Sequence, residues 1–166
     1  MPKVLEKADA EFEGTVKISN TLNYRSPVTS ITDSTKTVTV AESGTIFTLN
    51  RAAGITVTLP AAQAGLRYEF HVGTTFTGTM TINAASASDT LQGLVLIGPV
   101  DSQVATNAGA TTFIAGPAAA DHQIVADADT KGRLLGGHIT YTCITDAIWT
   151  VTGHLISSGT AAHPFT

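Results

Sequence analysis

The chain has 166 residues, enough for one domain with a substantial core but too few for two full domains. Charged residues make up 13% of it and the formal net charge is −4, so no strong basic field is present and nucleic acid is not expected as a partner. The single cysteine, Cys143, excludes an internal disulfide. No apolar run approaches membrane-spanning length, so we expect no membrane contact and synthesis in a cytoplasm.

Residues 1–37 differ from the rest and predict an extended N-terminal arm. Five of the nine basic residues lie in this stretch, its apolar residues are irregularly spaced, and Ser26-Pro27 interrupts it. Leaving so many apolar groups in water costs roughly 25 cal/mol per Å². They either pack on their own domain as a first strand pair or cover a neighbouring subunit. The candidates for contact with a partner or a second subunit are Phe12, Val16, Ile18, Leu22, Tyr24 and Arg25.

Residues 38–166 predict a β domain with a short C-terminal tail. Frequent threonine, valine and isoleucine favour extended backbone, and glycine and proline separate the segments. In the stretch 44–60, Ile55, Val57 and Leu59 alternate with threonines, which indicates a strand with one buried face. The segment 50–54 contains turn-forming residues, so we predict a hairpin here.

Two later segments give the strongest strand signals. Leu66, Tyr68, Phe70 and Val72 alternate with Arg67, Glu69 and His71, which predicts a strand with a buried and a wet face. Segments 139–144 and 148–152 predict a closing hairpin that places Trp149 with Val151 on one side. We therefore predict an all-β fold, an antiparallel β-sandwich or barrel-like domain, with Tyr68, Phe70 and Trp149 in its core.

The sequence carries no motif for catalysis or cofactor binding. It has no Gly-x-Ser-x-Gly elbow, Walker loop or dinucleotide fingerprint, and its five histidines lack a His-x-x-x-His spacing, so they meet only through folding or symmetry. Segment 127–132 is similar to the first half of a calcium loop, but Lys131 stands at a ligand position and His138 where a glutamate belongs. We predict no enzyme, no cofactor and no metal ligand.

Several short sequence motifs, taken together, resemble those of a known protein family. They are Thr58-Leu-Pro-Ala-Ala62, Tyr68-Glu-Phe-His-Val-Gly-Thr-Thr75, Asp89-Thr-Leu-Gln-Gly93, Gly136-Gly-His-Ile139, Ile148-Trp-Thr-Val-Thr-Gly153 and Ser158-Gly-Thr-Ala-Ala-His-Pro-Phe165. In this order they resemble the small head decoration, or capsid cement, proteins of tailed bacteriophages. The resemblance spans residues 44 to 165 and matches least well over 98–120.

This resemblance implies a non-enzymatic virion structural protein, made in the host cytoplasm, that lies on the exterior of the capsid. It implies a homotrimer whose partner is the major capsid protein, which it stabilises by bridging neighbouring capsomers. A low-charge, threonine-rich β domain with an apolar arm also suits a tail-fibre or adhesin-type domain that binds host surface glycans. The sequence leaves both functions open.

Overall fold

The computed structural model describes residues 25–100, 110–116 and 120–166. Within these ranges the chain forms eleven β-strands and two single-turn 3₁₀ helices, Val40–Glu42 and Asp129–Lys131. The strands are β1 (Val28–Ile31), β2 (Thr35–Thr37), β3 (Ile46–Leu49), β4 (Ile55–Thr58), β5 (Arg67–Val72), β6 (Met80–Asn83), β7 (Thr90–Pro99), β8 (Thr111–Ala115), β9 (Gln123–Ala126), β10 (Leu134–Thr145) and β11 (Ile148–Ser157).

The strands form two sheets that enclose one hydrophobic core. The seven-stranded sheet has the order β1-β3-β5-β10-β11-β7-β8, and the four-stranded sheet has the order β2-β4-β6-β9. Alternate residues of the inner strands are buried, as in Tyr68, Phe70 and Val72 of β5 and Ile55 and Val57 of β4. The predicted all-β sandwich is therefore confirmed.

The first six strands are arranged as a coil. β1, β3 and β5 lie side by side and parallel in the larger sheet, and β2, β4 and β6 lie side by side and parallel in the smaller sheet. The chain thus crosses from one sheet to the other after each strand, and three turns of coil stack on one another. This is the arrangement of a short β-solenoid.

Two expectations about strand pairing are wrong. The sheets are mixed rather than antiparallel, and segment 44–60 is not a hairpin, because β3 belongs to the larger sheet and β4 to the smaller one. The turn at 50–54 redirects the chain across the core. Gly54, with φ of +111°, packs so closely that a Cβ atom there would lie 2.8 Å from the Thr79 carbonyl oxygen. Alternation identifies a strand's buried face but not its neighbour.

The C-terminal hairpin lies in the middle of the larger sheet and connects the coil to β7 and β8. β10 and β11 form the predicted hairpin, with Tyr141 opposite Val151, and β10 also pairs antiparallel with β5 of the coil. β11 then pairs in parallel with β7. Phe165 near the C-terminus is buried and forms a bridge to Ile124 of β9, so the tail docks on the smaller sheet.

The sheets begin before the predicted domain start at residue 38. β1 and β2 lie within the segment assigned to the arm, and each forms the first strand of one sheet. Their pairing adds a complete turn to the coil. The contact candidates Phe12, Val16, Ile18, Leu22 and Tyr24 lie outside the described residues, and Arg25 is exposed.

Aromatic contacts fill the centre of the core. Phe70 stacks on Phe47 at 5.3 Å between ring centroids and meets Tyr141 edge-on at 5.8 Å. Trp149 contacts Tyr68 at 5.8 Å and Tyr141 at 6.4 Å. All five side chains are buried. They join β3, β5, β10 and β11 through their side chains in addition to the backbone ladder.

Replacing Trp149 with alanine should destabilise the fold strongly. The indole is fully buried among aromatic rings, so its loss leaves a cavity, and we expect the free energy of unfolding to fall by about 3–5 kcal/mol. Urea denaturation of the two proteins measures this difference. A loss below about 1 kcal/mol would contradict a central role for Trp149.

Tyr68 should make stability sensitive to alkaline pH. Burial and the nearby Glu42 carboxylate raise the pKa of Tyr68 to about 12, and its hydroxyl donates a hydrogen bond to the Thr39 carbonyl at 3.0 Å. Because the folded-state pKa exceeds the ordinary value of 10.0, this stabilisation is complete below pH 10 and is lost as the pH rises towards 12. Urea denaturation across this range should show a weaker alkaline loss in Tyr68→Phe than in the wild type. Equal losses would contradict the assignment to Tyr68.

Candidate functional site

Three histidines meet on the outer face of the larger sheet. In the strand register, His138 of β10 lies between His71 of β5 and His154 of β11. The rings of His138 and His154 are 4.3 Å apart between centroids and nearly perpendicular, and those of His71 and His138 are 5.5 Å apart and stacked. The imidazoles thus form a continuous row across three neighbouring strands, which we call the histidine row.

A carboxylate holds one end of the histidine row. Glu69 precedes His71 by two residues on the same face of β5, and its Oε1 lies 2.7 Å from Nε2 of His71. The Arg67 guanidinium is 3.9 Å from the other carboxylate oxygen. This contact fixes Nε2 of His71 on the carboxylate and leaves its Nδ1 atom for another partner.

The middle ring of the row favours the neutral state. Burial lowers the pKa of His138, and the positive charges that His154 and His71 acquire on protonation lower it further, whereas Glu69 opposes this shift. A neutral imidazole presents one nitrogen as a lone-pair acceptor. His138 therefore offers an unprotonated nitrogen under conditions where an isolated histidine is partly charged.

Threonines extend the polar centre of this face. Thr140 pairs with Thr152 and Thr142 with Thr150 across β10 and β11, in the positions next to the histidine row. Gln92 of β7 donates a hydrogen bond to the Thr150 hydroxyl at 3.3 Å. The centre of the sheet therefore presents hydroxyl and imidazole groups that can donate and accept hydrogen bonds.

Apolar side chains occupy the β8 side of the same face. Leu94 and Leu96 of β7 are 46% and 37% exposed, and Ile114 of β8, which pairs with Leu94, is 69% exposed. We call these three residues the apolar margin. Among the described residues, no strand pairs with the outer edge of β8, so backbone donors and acceptors lie beside the apolar margin. Clustered exposed apolar groups of this kind mark interaction surfaces.

A shallow depression of about 200 Å³ lies near the opposite edge of the sheet. Its lining consists of Ser26, Gly44, Thr45, Ile46, Arg67 and Glu69. Arg25, the one contact candidate within the described residues, adjoins Ser26 in sequence and is exposed. Glu69 lines the depression and also contacts His71 of the histidine row, so the two features adjoin on the surface.

The described part of the chain contains no preformed metal centre of three or more ligands drawn from His, Cys, Asp and Glu. In segment 127–132 the carboxylates make ion pairs instead, Asp127 with Lys131 at 3.1 Å and Asp129 with Arg133 at 2.6 Å. Over the same ranges no helix is long and apolar enough to cross a membrane.

The histidine row was not predicted from the sequence. One signal for part of it was present, because His138 and His154 each lie eight residues from Asp146 in the turn of the predicted closing hairpin. Equal distances from a hairpin turn place two residues opposite each other. His71 gave no such signal, since its position depends on the pairing of β5 with β10.

Comparison with known proteins assigns no family to the chain. No protein-family model, curated protein or solved structure matches it. The resemblance to phage head decoration proteins therefore stays a prediction based on short sequence motifs between residues 58 and 165. The outer face of the larger sheet supplies the structural basis for a functional proposal.

The titration midpoint of His138 should depend on the charges of its two histidine neighbours. We expect its midpoint in an NMR pH titration to lie below the ordinary value of 6.5, and the substitution His154→Gln to raise it, because one nearby charge is removed. His122→Gln, a change outside the histidine row, is the matched control and should leave the midpoint in place. An unchanged His138 midpoint in His154→Gln would contradict the adjacency of the two rings.

Proposed function

We propose that the protein is a virion structural protein that binds the outer surface of a tailed-phage head and stabilises it by bridging neighbouring capsomers. The structural observation that carries the proposal is the apolar margin of Leu94, Leu96 and Ile114 beside the edge strand β8. The resemblance of the sequence motifs to those of head decoration proteins points to the major capsid protein as the partner of this surface.

The apolar margin suits attachment to a protein surface. Burial of its side chains removes apolar area from water, which stabilises a complex by roughly 25 cal/mol per Å². The outer edge of β8, which pairs with no other strand among the described residues, can add backbone hydrogen bonds to a strand of the partner. Both features lie on one side of the sheet, so a single partner surface can contact them together.

A homotrimer strengthens such an attachment. Once one subunit is bound, the second and third contacts form at the effective concentration set by the assembly, so weak individual contacts give firm binding. We include the N-terminal arm in the proposal as a second contact, through Phe12, Val16, Ile18, Leu22, Tyr24 and Arg25, with its lysines facing acidic groups of the capsid.

Binding to undecorated heads tests the proposal. We expect Leu94→Glu and Ile114→Glu to weaken binding strongly, because each places a charge in the apolar contact, while the melting temperature stays near that of the wild type, since both residues are exposed. Ile144→Glu is the matched control, because Ile144 is 65% exposed but lies near the β10–β11 turn, outside the apolar margin. Head binding by a variant that lacks residues 1–24 measures how much this part of the predicted arm contributes to attachment.

Two outcomes would contradict this function. If both margin variants bind heads as the wild type does, the apolar margin is not the capsid contact. If purified virions contain only a few copies of the protein rather than hundreds, the tail-fibre or adhesin-type alternative is favoured, and its glycan contact is then to be sought on the threonine and histidine centre of the sheet.

A further inference from the structure

The histidine row supports an inference that goes beyond attachment to a capsid. We propose that His138 and His154 bind a divalent transition-metal ion of the class that prefers imidazole ligands, such as Zn²⁺, Ni²⁺ or Cu²⁺. The two residues are direct partners in the antiparallel β10–β11 ladder, and both project from the outer face of the sheet. This pairing sets the backbone separation of the two ligands, and a register shift in the ladder lies just before His138.

The ring positions are close to those that a shared ion requires. Zn–N bonds are about 2.0–2.1 Å long, so the centroids of two imidazoles on one tetrahedral ion lie about 5 Å apart. The centroids of His138 and His154 are 4.3 Å apart and the ring planes are nearly perpendicular, so the rings must turn and separate slightly to share an ion. The χ2 angle of a histidine has a broad, roughly two-fold distribution, so small rotations about it can direct one nitrogen of each ring at a common point.

The surroundings of the two rings favour a bound cation. His154 is exposed and His138 half-buried, so an ion can reach both from solvent. The Arg67 guanidinium contacts the Glu69 carboxylate at 3.9 Å, so its charge is paired with that group. The Glu69 carboxylate adds negative charge near the site, and through Nε2 it orients His71, the next ring in the row.

His71 is the supporting member of the site. Its ring stacks on His138 at 5.5 Å between centroids, and its contact with Glu69 leaves Nδ1 free of the carboxylate. Within the described ranges no three candidate ligands are already arranged around one point. The site therefore has two protein ligands, and water fills the remaining positions of the ion. Such an open site binds reversibly and prefers imidazole-seeking ions over Mg²⁺, which requires oxygen ligands.

Calorimetric titration of the full chain, produced without a polyhistidine tag, tests the inference with ZnCl₂ and NiCl₂ as probes and MgCl₂ as the negative control. We expect binding of Zn²⁺ and Ni²⁺ but not Mg²⁺. His138→Gln and His154→Gln should each weaken binding at least tenfold, because one of the two proposed ligands is lost. His71→Gln should weaken it less. His122→Gln is the matched control and should bind as the wild type does, since His122 lies outside the row, near the Ala120 carbonyl.

A second readout keeps the test independent of folding. Cu²⁺ is paramagnetic, so at low ratios it should broaden the NMR signals of His138 and His154 before those of His122 and His163. Thermal melting without metal shows whether each variant is folded. The inference is overturned if Zn²⁺ and Ni²⁺ give no binding, if His138→Gln and His154→Gln, both folded, bind as the wild type does, or if Cu²⁺ broadens His122 or His163 first.

Discussion

The aromatic contacts across the larger sheet are the constraint on which the rest of the structure depends. Phe47, Phe70, Tyr141 and Trp149 come from four neighbouring strands, and each ring touches the next. They join the parallel coil, which contributes β3 and β5, to the antiparallel hairpin of β10 and β11. The two halves of the chain therefore share one core, and packing in that core sets the register of β5 against β10.

That register determines the outer surface. Side chains alternate between the faces of a strand, so with Phe70 inside, His71 must point outward, and with Ile139 and Leu155 inside, so must His138 and His154. A slip of one residue in any of these strands would bury an imidazole and expose a core residue. The histidine row is thus held in place by the packing on the opposite face of the same sheet.

The outer face is divided into regions with different chemistry. Its centre carries imidazole and hydroxyl groups, whereas its β8 side carries Leu94, Leu96 and Ile114. Apolar contact suits a protein partner, and paired imidazoles suit a metal ion. The two proposals use different residues, so substitutions in one region leave the other intact and each can be tested alone.

The sequence by itself determined the strands and their buried faces, while the tertiary structure decided which strands are neighbours. Alternation in β5 and in the β10–β11 hairpin identified Tyr68, Phe70 and Trp149 as inward residues, because period-two patterning is a local property. The parallel coil was not predicted, since the turn at 50–54 is compatible with either a hairpin or a crossing to the other sheet. The pairing of His71 with His138 joins residues 67 positions apart in sequence, and only the assembled core fixes a contact of that range.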